Sequence, residues 1–186
     1  MTVLLVLIGA VVAWGIWTYN RLVGLKNQVA NAWKQIDVQL KRRHDLIPNL
    51  VATVKGAMEF ERDTLERVVQ ARNQAVAAPS RHDSMVAEAE LSRALRQLFA
   101  LVENYPTLRA NENALALQEE LTTTENQLGF ARQFYNDVVM RFNTQQEVFP
   151  ANLIANFFAF QPAELFAADE QDRATPSVDL SLRPNR

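Results

Sequence analysis

Three adjacent residues, Arg43-His44-Asp45, carry the densest potential chemistry in this sequence. A histidine beside a carboxylate serves as a general base when the acid orients the ring. Neighbours on one helix point about 100° apart, so a helical Asp45 cannot orient His44. No serine is placed beside them by the sequence, and the chain has 0 cysteines, which removes thiol nucleophiles, thiolate metal sites and disulfides together. Metal chemistry fares no better. The 2 histidines, His44 and His82, belong to no His-Glu-x-x-His motif, and no Glu-x-x-His pair of the di-metal bundle type occurs. Glu119, Glu120 and Glu125 gather negative charge without a histidine. The expectation is therefore no catalytic residue, no metal and no cofactor, with Arg43, His44 and Asp45 kept as interaction candidates.

The basic run Lys41-Arg42-Arg43 is read first as a solvated helix face, or as a site for an acidic protein surface. It lies about 30 Å along a helix from the apolar N-terminus, beyond a Debye length of about 8 Å, so lipid contact falls to Arg21 and Lys26. Gln39, Arg43, Thr124 and Asn136 fall on or beside apolar seams, where polar groups fix register more often than they do chemistry.

The elements that must position these residues are helical throughout. The chain has 186 residues, 48% of them hydrophobic, with 5 Gly and 7 Pro, enough to bury a core. A formal net charge of −2 argues against a nucleic-acid binder. Residues 1–20 contain no charged side chain, and Thr2 to Asn20 would span about 28 Å as a helix, close to the hydrocarbon thickness of a bilayer. Trp14, Trp17 and Tyr19 gather at its far end as an aromatic belt would. A cleavable signal wants a charged segment before the apolar run, and none is present. Residues 1–20 are accordingly expected to be a transmembrane anchor whose partner is the lipid bilayer. Gly9 and Ala13 form a small-xxx-small pair that a second copy could use, so a homo-oligomer stays open.

Beyond the anchor, apolar residues recur at helical spacing from Leu22 to Val54. Pro48 interrupts the hydrogen bonding and orphans the His44 carbonyl, but Leu40, Ile47 and Val54 stay in phase, which predicts a kink rather than a stop. Asp45 or Asn49 is expected to satisfy the loosened polar groups, and Lys55-Gly56 to end the helix with a C′ glycine. A second helix is expected over 60–78. Pro79 breaks it, and Ser80 with Asp83 resembles a capping box opening a third helix that ends near 104–106. The fourth, over 108–146, repeats Ala114, Leu121, Leu128, Tyr135 and Phe142 every seventh position. Long, short, short, long predicts an antiparallel up-and-down four-helix bundle over 21–148. A short apolar helix is expected over 149–161, with Leu153, Ile154, Phe157 and Phe158 on one face, near the bilayer surface by topology. Phe157 and Phe158 join the interaction candidates, with capping of the bundle as the competing role. Residues 162–186 are expected to form a flexible acidic tail.

These residues resemble the LemA family. The resemblance is carried by Trp33 to Leu50 (Trp-Lys-Gln-Ile-Asp-Val-Gln-Leu-Lys-Arg-Arg-His-Asp-Leu-Ile-Pro-Asn-Leu), by Glu103 to Glu112, and by Leu117 to Leu121. Phe130 to Arg132, Tyr135-Asn136, Phe142 to Thr144 and Phe149 to Ile154 extend it. The resemblance implies a bacterial membrane protein with a helical bundle and no established enzymatic activity. The function expected is a non-catalytic membrane-anchored scaffold or protein-interaction module. Its partners would be membrane or membrane-associated proteins, with no nucleic acid. The alternative is an enzyme of unrecognised type using the His44/Asp45 and carboxylate region.

Orientation follows from charge. Nothing before the span carries Lys or Arg, whereas Arg21 and Lys26 follow it, so the expected arrangement is a single pass of the inner membrane with the N-terminus outside and the bundle cytoplasmic. With no native cysteine, a Thr2→Cys variant should react with an impermeant thiol reagent in intact cells, while Ser80→Cys should be protected. The reverse pattern refutes the orientation.

Overall fold

The computed structural model describes residues 1–58 and 60–166. Every regular element among them is a helix. α1 (Thr2–Lys55) is one unbroken helix of 54 residues. α2 (Arg62–Ala77), α3 (Arg81–Val102), the single turn α4 (Pro106–Arg109), α5 (Glu112–Glu147) and α6 (Ala151–Phe157) follow. The helix expected over 108–146 thus begins slightly later, because Pro106–Arg109 forms its own turn and Asn111 caps α5, accepting from the Asn113 and Ala114 amides at 3.0 and 3.1 Å. Ser80 does cap α3, accepting from the Asp83 amide at 3.1 Å.

α1 and α5 pack antiparallel along their length, Trp33 meeting Tyr135 and Arg42 meeting Glu120. α2 and α3 form a hairpin across Ala78-Pro79-Ser80, and their main packing is against each other. Two apolar clusters result. One joins Leu22, Trp33, Ile36 and Leu40 of α1 to Leu128, Tyr135 and Phe142 of α5. The other gathers Ile47, Leu50 and Val54 with Val68 of α2, Leu91 and Leu98 of α3, and Leu121 of α5. The first twenty residues of α1 lie outside both. Their richest window has a mean hydropathy of 2.0 with 6% of it buried, so this part of α1 is long and apolar enough to cross a membrane and is not a core helix.

Three local expectations are corrected. α1 passes through Pro48, and the His44 carbonyl that Pro48 cannot serve accepts a hydrogen bond from Arg72 Nε of α2 at 3.2 Å, not from Asp45 or Asn49. Gly56 is right-handed, with φ −69°, and the chain leaves α1 through amides of Ala57 and Met58 that both donate to the Val54 carbonyl. The left-handed residue is Ala159, φ 52°, after α6, where the Phe160 amide donates to Ala155 O and the Ala159 amide to Asn156 O, a Schellman ending without glycine.

The expected tail is the third correction. Residues 163–166 are strapped to α5. Asn143 donates to the Ala163 carbonyl and accepts from its amide at 2.8 and 2.9 Å, and Asn136, seven residues earlier, grips Phe166 the same way at 3.0 and 2.7 Å. The Tyr135 hydroxyl donates to Glu164 O at 2.9 Å. Phe166 is buried against Trp33 and beneath the Arg132 guanidinium. Residues 163–166 are only the start of the expected tail, and its remainder, 167–186, lies outside the described residues.

The Pro48–Arg72 pairing yields a coupled prediction. Arg72→Ala should cost about 1 kcal/mol by leaving a carbonyl unpaired. In a Pro48→Ala background the new amide serves that carbonyl, so the same Arg72→Ala change should cost clearly less. Equal costs in the two backgrounds, read from urea melts, would show that Arg72 does not replace the missing bond.

Candidate functional site

Arg43 does not belong to the solvated face. It sits on α1 in phase with Ile36, Leu40 and Ile47, and this phase carries it between α3 and α5, where its side chain is 3% exposed. The charge meets Glu88 of α3, whose side chain is 0% exposed: Arg43 Nη1 donates to Glu88 Oε2 at 3.2 Å. Arg43 Nη2 donates to Ser92 Oγ at 2.9 Å and lies 3.1 Å from Glu125 Oε2 of α5. Glu125 in turn reaches Arg132 at 3.7 Å. The second oxygen of Glu88 meets His44 Nε2 at 2.5 Å. One buried carboxylate thus holds two consecutive residues of α1, which is possible because residues about 100° apart straddle it.

His44 therefore has an orienting carboxylate, but it is Glu88 and not Asp45. Asp45 is exposed. The imidazole edge, 12% exposed, reaches a cleft of about 460 Å³ between α1 and the α2–α3 hairpin, shared with Lys41, Arg72, Ser80, Arg81 and Ser84. At the same cleft, burial raises the Asp37 carboxyl above the ordinary carboxylate range, against the opposing pull of Arg81 and of Trp33. Burial likewise raises the Tyr135 phenol, with Glu164 adding to the rise and Arg81 opposing it. Arg81 itself lies 5.2 Å from the centre of the Trp33 ring.

Of the interaction candidates, Arg43 is a buried structural charge, His44 is largely enclosed, Asp45 is exposed, and Phe157 and Phe158 are exposed at 81% and 51%. Among the described residues no three His, Asp or Glu side chains converge as metal ligands would. Glu120 and Glu125 are engaged by Arg42 and Arg43. Glu88, Ser92 and Arg72 were missed by sequence reasoning. The signal for Glu88 was present: it stands in helical phase with Met85, Leu91, Leu95 and Leu98, a charge inside an apolar seam.

A second feature occupies the far side of the α1–α5 pair. Val38, Phe130 and Phe134 are exposed at 65%, 73% and 47% around the nearly buried Ala131. With Gln35, Gln39 and Gln127 they line a shallow groove of about 450 Å³. Gln39 Oε1 is shut off from solvent without a hydrogen-bond partner among the described residues.

The LemA family model matches residues 32–180. The chain is 25% identical over 163 residues to Protein LemA of Metamycoplasma hominis, covering 87% of this chain and 74% of that protein. It is 22% identical over 195 residues to Magnetosome protein MamQ 2 of Paramagnetospirillum magneticum, covering 89% of this chain and 72% of that protein, and equally similar to Magnetosome protein MamQ 1 of the same organism.

The charge cluster makes an energetic prediction. Glu88→Met leaves the buried Arg43 with only the part-exposed Glu125 and should cost roughly 3–5 kcal/mol in denaturant melts, whereas Arg43→Met with Glu88→Met removes both buried charges and should cost much less than either single change. A double variant as unstable as the sum of the singles would show that the charges are not coupled.

Proposed function

Because the chain belongs to the LemA family, we propose that it works as a non-catalytic scaffold, held by residues 1–20 in the inner membrane with its soluble helices on the cytoplasmic side. There it presents a docking face to another membrane or membrane-associated protein. The observation that carries this reading is the patch of Val38, Phe130 and Phe134. Single exposed hydrophobics are ordinary, but three converging from two helices around a groove rimmed by glutamine amides support reading this face as an interaction surface. The reading is further supported by the charge cluster, whose carboxylates are committed to Arg43, Arg42, Arg132 and His44.

A second reading, an enzyme using His44, Asp45 and nearby carboxylates, draws on one observation. The Glu88-held imidazole faces a cleft that also contains the Ser80 and Ser84 hydroxyls.

The two separate by experiment. Photo-crosslinking residues at Val38, Phe130 and Phe134 of the full chain in its own membrane should give a discrete adduct. Phe130→Ser with Phe134→Ser should abolish the adduct at Val38 without lowering the melting temperature. An adduct of twice the chain mass identifies a second copy as the occupant. Absence of adducts at all three sites counts against the scaffold. Loss of the cellular role in His44→Asn, with the adduct kept, points to the enzyme.

A further inference from the structure

α6 does not sit at the level where the soluble helices begin. It packs beside the last turn and a half of the apolar segment. Ile154 Cδ1 lies 3.7 Å from the position a side chain at Gly15 would take. The rings of Phe158 and Phe160 lie 4.6 and 5.8 Å from that of Tyr19. Ala151 and Ala155 are buried while Phe149, Leu153 and Phe157 point away, exposed at 79%, 58% and 81%.

Depth arithmetic then decides what covers that outer face. A helix from Thr2 to Asn20 reaches about 28 Å, while the hydrocarbon layer is about 30 Å thick. The anchor has no length to spare, so Gly15 to Tyr19 must lie within the apolar layer or at its edge. Whatever packs beside those residues lies at the same depth. We infer that α6 is a foot embedded in the near leaflet, with Phe149, Leu153 and Phe157 among the acyl chains and α6 lying alongside the anchor. This rests on the reading that residues 1–20 span the bilayer.

Two features fit that depth. No ionisable side chain occurs from Val148 to Ala163, so nothing charged is carried into the lipid. Just past Tyr19, Arg21 and Arg141 line a cleft with Leu25 and Met140, with Asp137 opposing them, which on this depth would put two guanidinium side chains near the headgroups. Arg21 also lies over the Trp17 ring, 5.4 Å from its centre, as at a membrane boundary. The occupant of the outer face is thus the bilayer, and the C-terminal end of α6 is closed by the Phe160 and Ala159 amides, which donate to the Ala155 and Asn156 carbonyls.

The test uses the full chain in phospholipid vesicles, with single cysteines spin-labelled at Leu153 and Phe157. Leu5→Cys marks the anchor and Val86→Cys the solvent face of α3. Collision with oxygen, which concentrates in lipid, is compared with collision with a water-soluble nickel chelate. The expected result places labels at Leu153 and Phe157 with Leu5, oxygen-accessible and shielded from nickel, and well apart from Val86. Nickel access equal to that at Val86 overturns the foot while leaving the anchor intact. Shielding from both reagents also overturns it, by showing protein rather than lipid over α6. Nickel access at Leu5 defeats the anchor and the foot together.

Discussion

One helix has to carry two unlike surfaces, a packed one and a bare apolar one. α1 is 54 residues long without interruption, about 80 Å, and α5, its main partner, is 36 residues, about 54 Å. No arrangement of these two covers all of α1 with protein. The division falls where the sequence puts it: buried positions run from Thr18 and Leu22 to Val54, and the preceding residues stand bare apart from the side that α6 touches. The rest of the architecture follows. α5 must return antiparallel to cover Leu22 to Leu40, and the α2–α3 hairpin must cover the far third of α1, where it shares an apolar cluster with Ile47, Leu50 and Val54.

A continuous apolar stripe on α1 would let α5 and the hairpin slide by a turn at little cost. The Arg43 cluster removes that freedom. Glu88 with Ser92 of α3, and Glu125 of α5, all converge on one guanidinium, so a one-turn slip of α3 would leave Glu88 buried without its partner, and a slip of α5 would take Glu125 away from the buried guanidinium. Such clusters add little to stability compared with a well-packed apolar core, and their use is to specify one arrangement. Thr124, buried one turn from Glu120 and bonded to its carbonyl at 2.7 Å, shows the cheaper way to keep a polar side chain in a seam. It is self-sufficient and specifies nothing about its neighbours.

The all-helical fold was legible because periodicity is local: seven-residue steps, the Ser80 cap and the proline breaks each declare themselves within a few residues. The buried face of α1 could be listed from its spacing, Arg43 included. What the spacing could not supply was the partner across the seam, since nothing near residue 43 names Glu88, 45 positions away. Arg72 was invisible for the same reason, although the orphaned His44 carbonyl announced that some donor was needed. The strap at 163–166 was misread for a different reason. Its recognition runs through its backbone, and Asn136 and Asn143 read amide and carbonyl whatever the side chains are. Composition in the strap therefore carried no signal, and the signal lay in two asparagines seven residues apart on α5.

The unbroken spine limits how this molecule can work. A hinge between the apolar segment and the packed helices would let the two parts move independently, but α1 stays helical through Gly24 at that junction, and Leu22 and Val29 on either side of it are buried. Any tilt of the apolar segment is therefore passed rigidly to the Val38–Phe130–Phe134 face, whose direction relative to the membrane is set by the helix and not by a linker. Motion is left to the parts that α1 does not carry. The strap is held largely by two asparagine side chains, Tyr135, an exposed His82–Glu164 pair and one buried ring. Segments with so few buried contacts are those from which regulated openings are drawn in other proteins. If a partner docks on the α1–α5 face as proposed, it meets two long packed helices and not a loop, so little conformational entropy is lost on binding.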